Sequence, residues 1–217
     1  MICGLAEEGA RAINADVDLI RTGSLYHDVG KLHAPDWFIE NQKDGPNPHD
    51  ALNDPEQSAA VLQAHVDEGL KLAKRHRPPR PIADFIPEHQ GTLKMGFFLH
   101  KARQINPNIE EKRFRYHGPS PRSKETGILM LADGCEAALR SLPPDTSEAE
   151  AKDTVRRIVE SRQVDGQLRK SGLSRSEVEL VVQAFVKVWR RMRHRRIPYP
   201  IPSRPRHSAG GWINHLG

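Results

Sequence analysis

Between Asp54 and Arg75 the sequence admits one kind of backbone. Asp54 is an N-cap residue, Pro55 suits the first helical position, and Ala59, Leu62, His65, Val66, Gly69, Leu70 and Ala73 recur along one face. A strand cannot satisfy so long a run of 3.6-residue periodicity, because its side chains alternate between faces. The same reading predicts helices over Leu5 to Ile13, Val17 to about His27 behind Asp16, Ile82 to His89, and Thr92 to about Gln104. A strongly apolar helix begins at Arg122 or Ser123 and runs through Ile128, Leu129, Leu131, Ala132, Cys135, Ala138 and Leu139. Another begins at Thr146, with Glu148 and Glu150 behind it, and reaches about Arg162. The last, Val178 to about His194, follows the capping-box spacing of Ser174 and Glu177. No segment alternates with a period of two and no repeat is present, so an all-α helical bundle is expected.

Two stretches are irregular. Asp28 to Pro48 is punctuated by Gly30, Pro35, Gly45, Pro46 and Pro48 and reads mostly as loop, with Trp37, Phe38 and Ile39 expected to anchor it to the core. Asn106 to Pro121 is the second. Pro198 to Gly217 is rich in Pro, Gly and Arg and reads as a tail. With 217 residues, one domain, or one domain and a tail, is expected. No apolar run approaches the roughly 18 residues of a membrane span, and the start, with Glu7 and Glu8, is not a signal peptide. Cys3 and Cys135 are in no metal or redox spacing and read as small hydrophobes in a reducing compartment. Much of the net charge of +5 sits in Arg190, Arg191, Arg193, Arg195 and Arg196, with Arg204 and Arg206 beyond. These read as a solvated basic helix end; no aromatics interleave with them, which argues against a nucleic-acid partner.

Five ligand-type residues fall on or beside core helices: His27, Asp28, His65, His89 and Asp133. Taken alone, His27-Asp28 could be a helix C-terminus, with Gly30 as a left-handed cap and Lys31 complementing the dipole. His65 could be a core histidine and His89 a helix-end histidine. Asp133 lies between Leu131 and Cys135, where an unpaired charge is costly. Together they form the kind of set from which a bundle core builds a metal site. Neutral imidazoles with carboxylates suit Fe, Mn, Zn or Ni, and the carboxylates favour Fe or Mn. Asp28 could bridge two ions, a pair that serves in-line displacement at phosphorus, and Lys31 is placed to meet a phosphate. His33, His49, His76, His100, His117, His194, His207 and His215 are expected mostly at the surface.

The order His27-Asp28, His65, His89 and Leu131-Ala132-Asp133 resembles the HD-domain metal-dependent phosphohydrolases. The surrounding words are Tyr26-His-Asp-Val-Gly-Lys31, Phe38-Ile-Glu-Asn-Gln42, Asn47-Pro-His-Asp50, Glu88-His-Gln-Gly-Thr92, Phe114-Arg-Tyr116 with Gly118-Pro119, Ser123-Lys-Glu125, Met130-Leu-Ala-Asp133 and His194-Arg-Arg-Ile-Pro-Tyr-Pro200. They are similar to the cytoplasmic domain of the seven-transmembrane receptors with an intracellular HD hydrolase, over residues 1–200, with 201–217 as a tail. The resemblance implies a phosphodiesterase that hydrolyses cyclic di-AMP to pApA by metal-hydroxide attack on phosphorus, with two Fe or Mn ions. It implies His27, Asp28 and Asp133 on one ion, Asp28, His65 and His89 on the other, Asp28 and Lys31 in catalysis, and Lys31, Arg115 and Lys124 on substrate. It also implies a cytoplasmic domain tethered to the membrane through an upstream transmembrane region, with a homodimer as an open question. Two departures stand out. The family's leading histidine would fall before Met1, so the chain reads as truncated at that end. Gln90, a weaker ligand, stands where the family commonly has a second histidine. Both favour an alternative, a degenerate HD domain that binds nucleotide, or signals by dimerisation, without hydrolysis. Cyclic di-GMP hydrolysis ranks lower, because the His-His-Glu and Gly-Tyr-Pro words of the HD-GYP branch are missing.

Overall fold

The structure is a computed structural model and describes residues 1–42 and 46–194. The 201–217 tail, the end of the closing motif at Pro200, Arg195, Arg196, Arg204, Arg206, His207, His215 and the side chain of His194 lie outside the described residues. The helices are α1 (Ile2–Ala12), α2 (Val17–Tyr26), α3 (Pro48–Leu52), α4 (Pro55–His76), α5 (Arg80–Ala83), α6 (Phe85–Glu88), α7 (Gly96–Ile105), α8 (Lys124–Ser141), α9 (Glu148–Val164) and α10 (Arg175–His194). Among the described residues there is no strand, and one antiparallel bridge joins Lys94 to Arg115. The all-α expectation holds.

The caps follow the side chains that precede each helix. Asp16 accepts from the Leu19 amide at 2.9 Å, and Asp54 accepts from both Glu56 and Gln57. Ser174 and Glu177 form the expected reciprocal pair ahead of α10. The start of α9 is shifted by one residue from expectation: Ser147, not Thr146, is the N-cap, and it closes a capping box with Glu150. Helix α7 starts at Gly96 rather than Thr92, because Thr92 is bonded to Gln167 and the following backbone pairs with Arg115 and Tyr116. The expected helix over Ile82 to His89 is two single turns, α5 and α6.

The Asp28 to Pro48 stretch is more ordered than its punctuation suggests. It winds through 3-10 turns at Val29–His33, Pro35–Trp37 and Ile39–Asn41 before α3. Phe38 is its buried anchor; Ile39, expected beside it, is 78% exposed. Gly30 is not a left-handed cap, since the positive-φ glycines of the described residues are Gly91, Gly118, Gly166 and Gly172. It is a point of contact: a β-carbon there would lie 1.7 Å from the His65 carbonyl oxygen and 2.5 Å from the Gly69 nitrogen. The first 3-10 turn therefore lies directly on the backbone of α4. Of the other expected apolar positions, Leu25 and Leu70 are exposed.

Two apolar clusters result. The larger draws on α1, α2, α8, α9 and α10, with Leu5, Ile20, Ile128, Leu129, Leu131, Val155 and Phe185 fully buried. The smaller joins α4 to α7 through Ala59, Leu99, Ala102, Ile109 and Phe114. Cys135 belongs to the larger, and burial pushes its thiol up to about 12. At pH 8 a thiol reagent should modify Cys135 only after the chain is unfolded in denaturant, since the thiolate is the reactive form. Peptide mapping after labelling reads this directly, and rapid native labelling at Cys135 would contradict the buried placement.

Candidate metal centre

The end of α2, the middle of α4, the end of α6 and the middle of α8 meet along the seam between the two clusters. His27 caps α2 and Asp28 begins the next turn. His65 projects from α4, His89 follows α6, and Asp133 projects from α8. Asp28 is central. Its Oδ1 lies 3.5 Å from His65 Nε2 and 3.3 Å from His89 Nε2, and its Oδ2 lies 3.1 Å from His27 Nε2. The Nε2 atoms of His65 and His89 are 3.3 Å apart, and Asp133 Oδ1 is 3.9 Å from His27 Nε2. His27, Asp28 and His89 can offer ligand atoms that all lie within 4.8 Å of one another.

Each imidazole is aimed by the backbone. His27 Nδ1 meets the Ser24 carbonyl at 2.9 Å, His89 Nδ1 meets that of Ile86 at 2.7 Å, and His65 Nδ1 bonds that of Leu62. A carbonyl only accepts, so each Nδ1 carries the proton, which leaves the Nε2 lone pair free in the neutral ring. This is the outer support that metal-bound histidines require. His27 Nε2 and Asp28 Oδ1 are buried without a hydrogen-bond partner. Orphaned polar atoms of this kind are costly, and a divalent cation would satisfy both. The donor set therefore fits a divalent metal ion.

The electrostatics agree. Burial would raise the Asp28 carboxyl, but the imidazoles of His27 and His89 hold it well below the usual carboxylate range. Burial, reinforced by His89, pushes His65 down to about 3, which keeps that ring neutral. Burial also disfavours protonation of His27, yet Asp28 and Asp133 outweigh it and raise its pKa.

The remaining expected residues are placed differently. Lys31 reaches the cluster: its Nζ is 2.7 Å from Asp28 Oδ2, also pairs with Glu40, and lies over the Phe38 ring. Gln90 turns its amide nitrogen toward Asp133 Oδ2 at 3.4 Å. Arg115 is not brought to the cluster. It clamps Asp165 and Glu111 and donates to the Thr92 carbonyl. Lys124 is drawn to Glu177 at the base of α10. His49, expected at the surface, is half-buried: its Nε2 bonds the Trp37 carbonyl and its ring meets Trp37 and Phe98. It lines a cavity of about 270 Å³ with Lys31, Phe38, His65, Gln90 and Tyr116, beside the cluster.

Two residues in the words quoted from the sequence, Glu88 and Tyr116, were given no role there and prove to be supports. Glu88 is 1% exposed and accepts from the Arg122 amide, Arg122 Nε and Thr126 Oγ1 at 2.7–2.8 Å. It ties α6 to the start of α8 and so sets His89 against Asp133. The signal was available, as an acid flanked by Phe85, Ile86, Pro87 and His89 demands a buried partner. Tyr116 closes over the ring of His65, with centroids 5.9 Å apart. Its word, Phe114-Arg-Tyr116, stands in the resemblance, but nothing local gave it this role, because the contact joins residues far apart in the chain.

This fold, with a His-Asp-His cluster at its seam, defines an HD domain. A family model described as HD domain matches residues 3–138, and the chain belongs to that family. Among known proteins it is similar to the uncharacterized protein slr0104 of Synechocystis sp. (strain ATCC 27184 / PCC 6803 / Kazusa), at 48% identity over 90% of this chain and 25% of the relative. It is 36% identical to the cyclic-di-AMP phosphodiesterases PgpH of Listeria monocytogenes serotype 1/2a (strain 10403S) and Bacillus subtilis (strain 168), over 92% of this chain and 28% of each relative. The chain thus spans about a quarter of the length of the curated relatives it matches. The crystal structure of the L. monocytogenes phosphodiesterase PgpH HD domain in complex with cyclic-di-AMP superposes with a TM-score of 0.85 and 35% identity, covering 88% of this chain and 89% of that one.

Proposed function

We propose that this chain is a metal-dependent phosphodiesterase domain that hydrolyses a cyclic dinucleotide, cyclic di-AMP to pApA. The observation that carries the reading is the convergence of three backbone-anchored imidazoles on Asp28. His27, Asp28 and Asp133 would hold one ion, and Asp28, His65 and His89 a second, with Fe or Mn favoured by the carboxylates. Such ions supply Lewis-acid stabilisation of phosphoryl oxygens and acidify a coordinated water. The residues themselves hold the geometry. Asp28, low in pKa and reached from three sides, would be the carboxylate held in common. Lys31 balances it, and the pair with Glu40 keeps its ammonium at the rim, where a phosphate oxygen could exchange with a carboxylate. Tyr116 and Phe38 wall the His65 side against water.

Resemblance to the PgpH relatives supports adenine over guanine in the substrate. In the same proposal, residues 1–200 form one domain, supported by α10 lying against α1, with 201–217 as a tail. The domain is placed in the cytoplasm and tethered through a longer parent protein. Among the described residues no helix is long and apolar enough to cross a membrane. A second reading, nucleotide binding without turnover, draws on Gln90, whose amide donates to Asp133 instead of adding a ligand.

Incubation of the Mn-loaded chain with cyclic di-AMP and cyclic di-GMP, followed by chromatography and metal analysis, separates these readings. The expected result is two ions per chain and linear product from cyclic di-AMP alone. His27→Ala should abolish turnover and lower metal content while leaving the helical circular dichroism unchanged. Full activity with normal metal content in that variant would sink the proposal.

A further inference from the structure

A phosphodiester substrate brings negative charge to the seam, and the cations expected to meet it are already engaged. Lys31 is held by Asp28 and Glu40, Arg115 by Asp165 and Glu111, and Lys124 by Glu177. Arg162 differs from all three. It projects from the inner face of α9, the face that buries Ala151, Val155 and Val159. Its guanidinium lies against α8 beside Gly134, the neighbour of Asp133; a β-carbon on Gly134 would lie 3.1 Å from Arg162 Nη2. Among the described residues it forms no ion pair, and its Nε is buried with no hydrogen-bond partner. Burial lowers its pKa, and Cys135, Asp133 and Asp165 offset this through space only.

Burying a cation without a partner costs stability that an apolar side chain of similar length would not. A side chain at position 134 would crowd the guanidinium, so the glycine leaves room for it. The guanidinium presents a planar fork of donors that matches two oxygens of a phosphate. Its contact at Gly134 is one residue from Asp133, whose carboxylate acts on it through space.

We propose that Arg162 is a substrate-binding residue that donates hydrogen bonds to phosphate oxygens on the Asp133 side of the metal centre. This rests on the phosphodiesterase reading above. The test compares the Mn-loaded wild-type chain with Arg162→Met in three measurements: metal content, melting temperature without ligand, and affinity for inorganic phosphate at matched ionic strength. The expected result is unchanged metal content, a melting temperature equal to or above wild type, and phosphate affinity at least about tenfold weaker, the scale of one charge-assisted hydrogen-bonded pair. In turnover, KM should rise more than kcat falls. A lowered melting temperature with unchanged phosphate affinity would overturn the proposal and make Arg162 a structural strut. Should Arg162→Met fail to fold, Arg162→Lys keeps the charge without the fork. Weaker phosphate binding at an unchanged melting temperature then supports the proposal, and unchanged binding overturns it. Failure of the phosphodiesterase reading is seen separately, as missing metal or missing turnover in the wild-type chain.

Discussion

Replacing Asp28 with Asn is expected to lower turnover by about three orders of magnitude or more, the scale of losing several kcal/mol of electrostatic stabilisation. Among the described residues Asp28 is the one carboxylate within 3.5 Å of all three imidazoles, so no described neighbour can substitute for it. Asn keeps the shape but offers a neutral oxygen and a donor nitrogen. That nitrogen would donate to Nε2 lone pairs otherwise available to a metal, and the proposed metal positions would lose their shared anion. The fold should survive, because Lys31 retains Glu40 and the three rings keep their backbone carbonyls. Metal analysis and helical circular dichroism on the same sample would read both halves. Full metal content and normal turnover in the Asp28→Asn variant would remove Asp28 from the centre altogether.

Among the described glycines, Gly30→Ala should be the most destabilising methyl addition. The added carbon would fall 1.7 Å from the His65 carbonyl oxygen and 2.5 Å from the Gly69 nitrogen. Both are backbone atoms of α4, so no side chain can rotate away. The turn that follows Asp28 must lift off the helix that carries His65. Overpacking of this kind costs about 3 kcal/mol or more, a fall in melting temperature of roughly 6–12 °C for a domain of this size. Metal affinity should fall with it, since Asp28 and His65 are pulled apart. Gly4→Ala is the control. Nothing lies within 4 Å of a β-carbon there, and position 4 is an exposed helical site, so that change should stabilise by about 0.5–1 kcal/mol. Thermal denaturation of both variants decides the matter, and equal melting temperatures would refute the contact.

The local rules read well where a segment's own side chains decide its backbone. Asp16, Asp54, Ser174 and the apolar stripe of α8 each specify an element that the structure contains. They read poorly where distant partners decide. The Asp28 to Pro48 stretch has the punctuation of a loop, yet three 3-10 turns form there because Phe38 has His65 to pack on and Gly30 has the α4 backbone to rest on. Thr92 looks like a helix start, yet Gln167 takes its amide and hydroxyl into a bond across the fold. His49 looks like a surface residue because nothing near it in sequence announces Phe98.

The candidate site divides along the same line. His27, Asp28, His65, His89 and Asp133 could be collected from the sequence because charged or ligating side chains on apolar helix faces need partners. Their chemistry is local to each residue, so the candidate donors could be named without coordinates. What only the tertiary structure decided is which groups are committed elsewhere. Arg115 and Lys124 carry the right charge but are held by Asp165, Glu111 and Glu177. Arg162, with nothing in its neighbourhood of sequence to mark it, forms no ion pair among the described residues and lies beside Gly134, next to Asp133. A cation's availability depends on which carboxylates the fold brings within reach. That is a property of distances between helices, and no single stretch of the chain contains it.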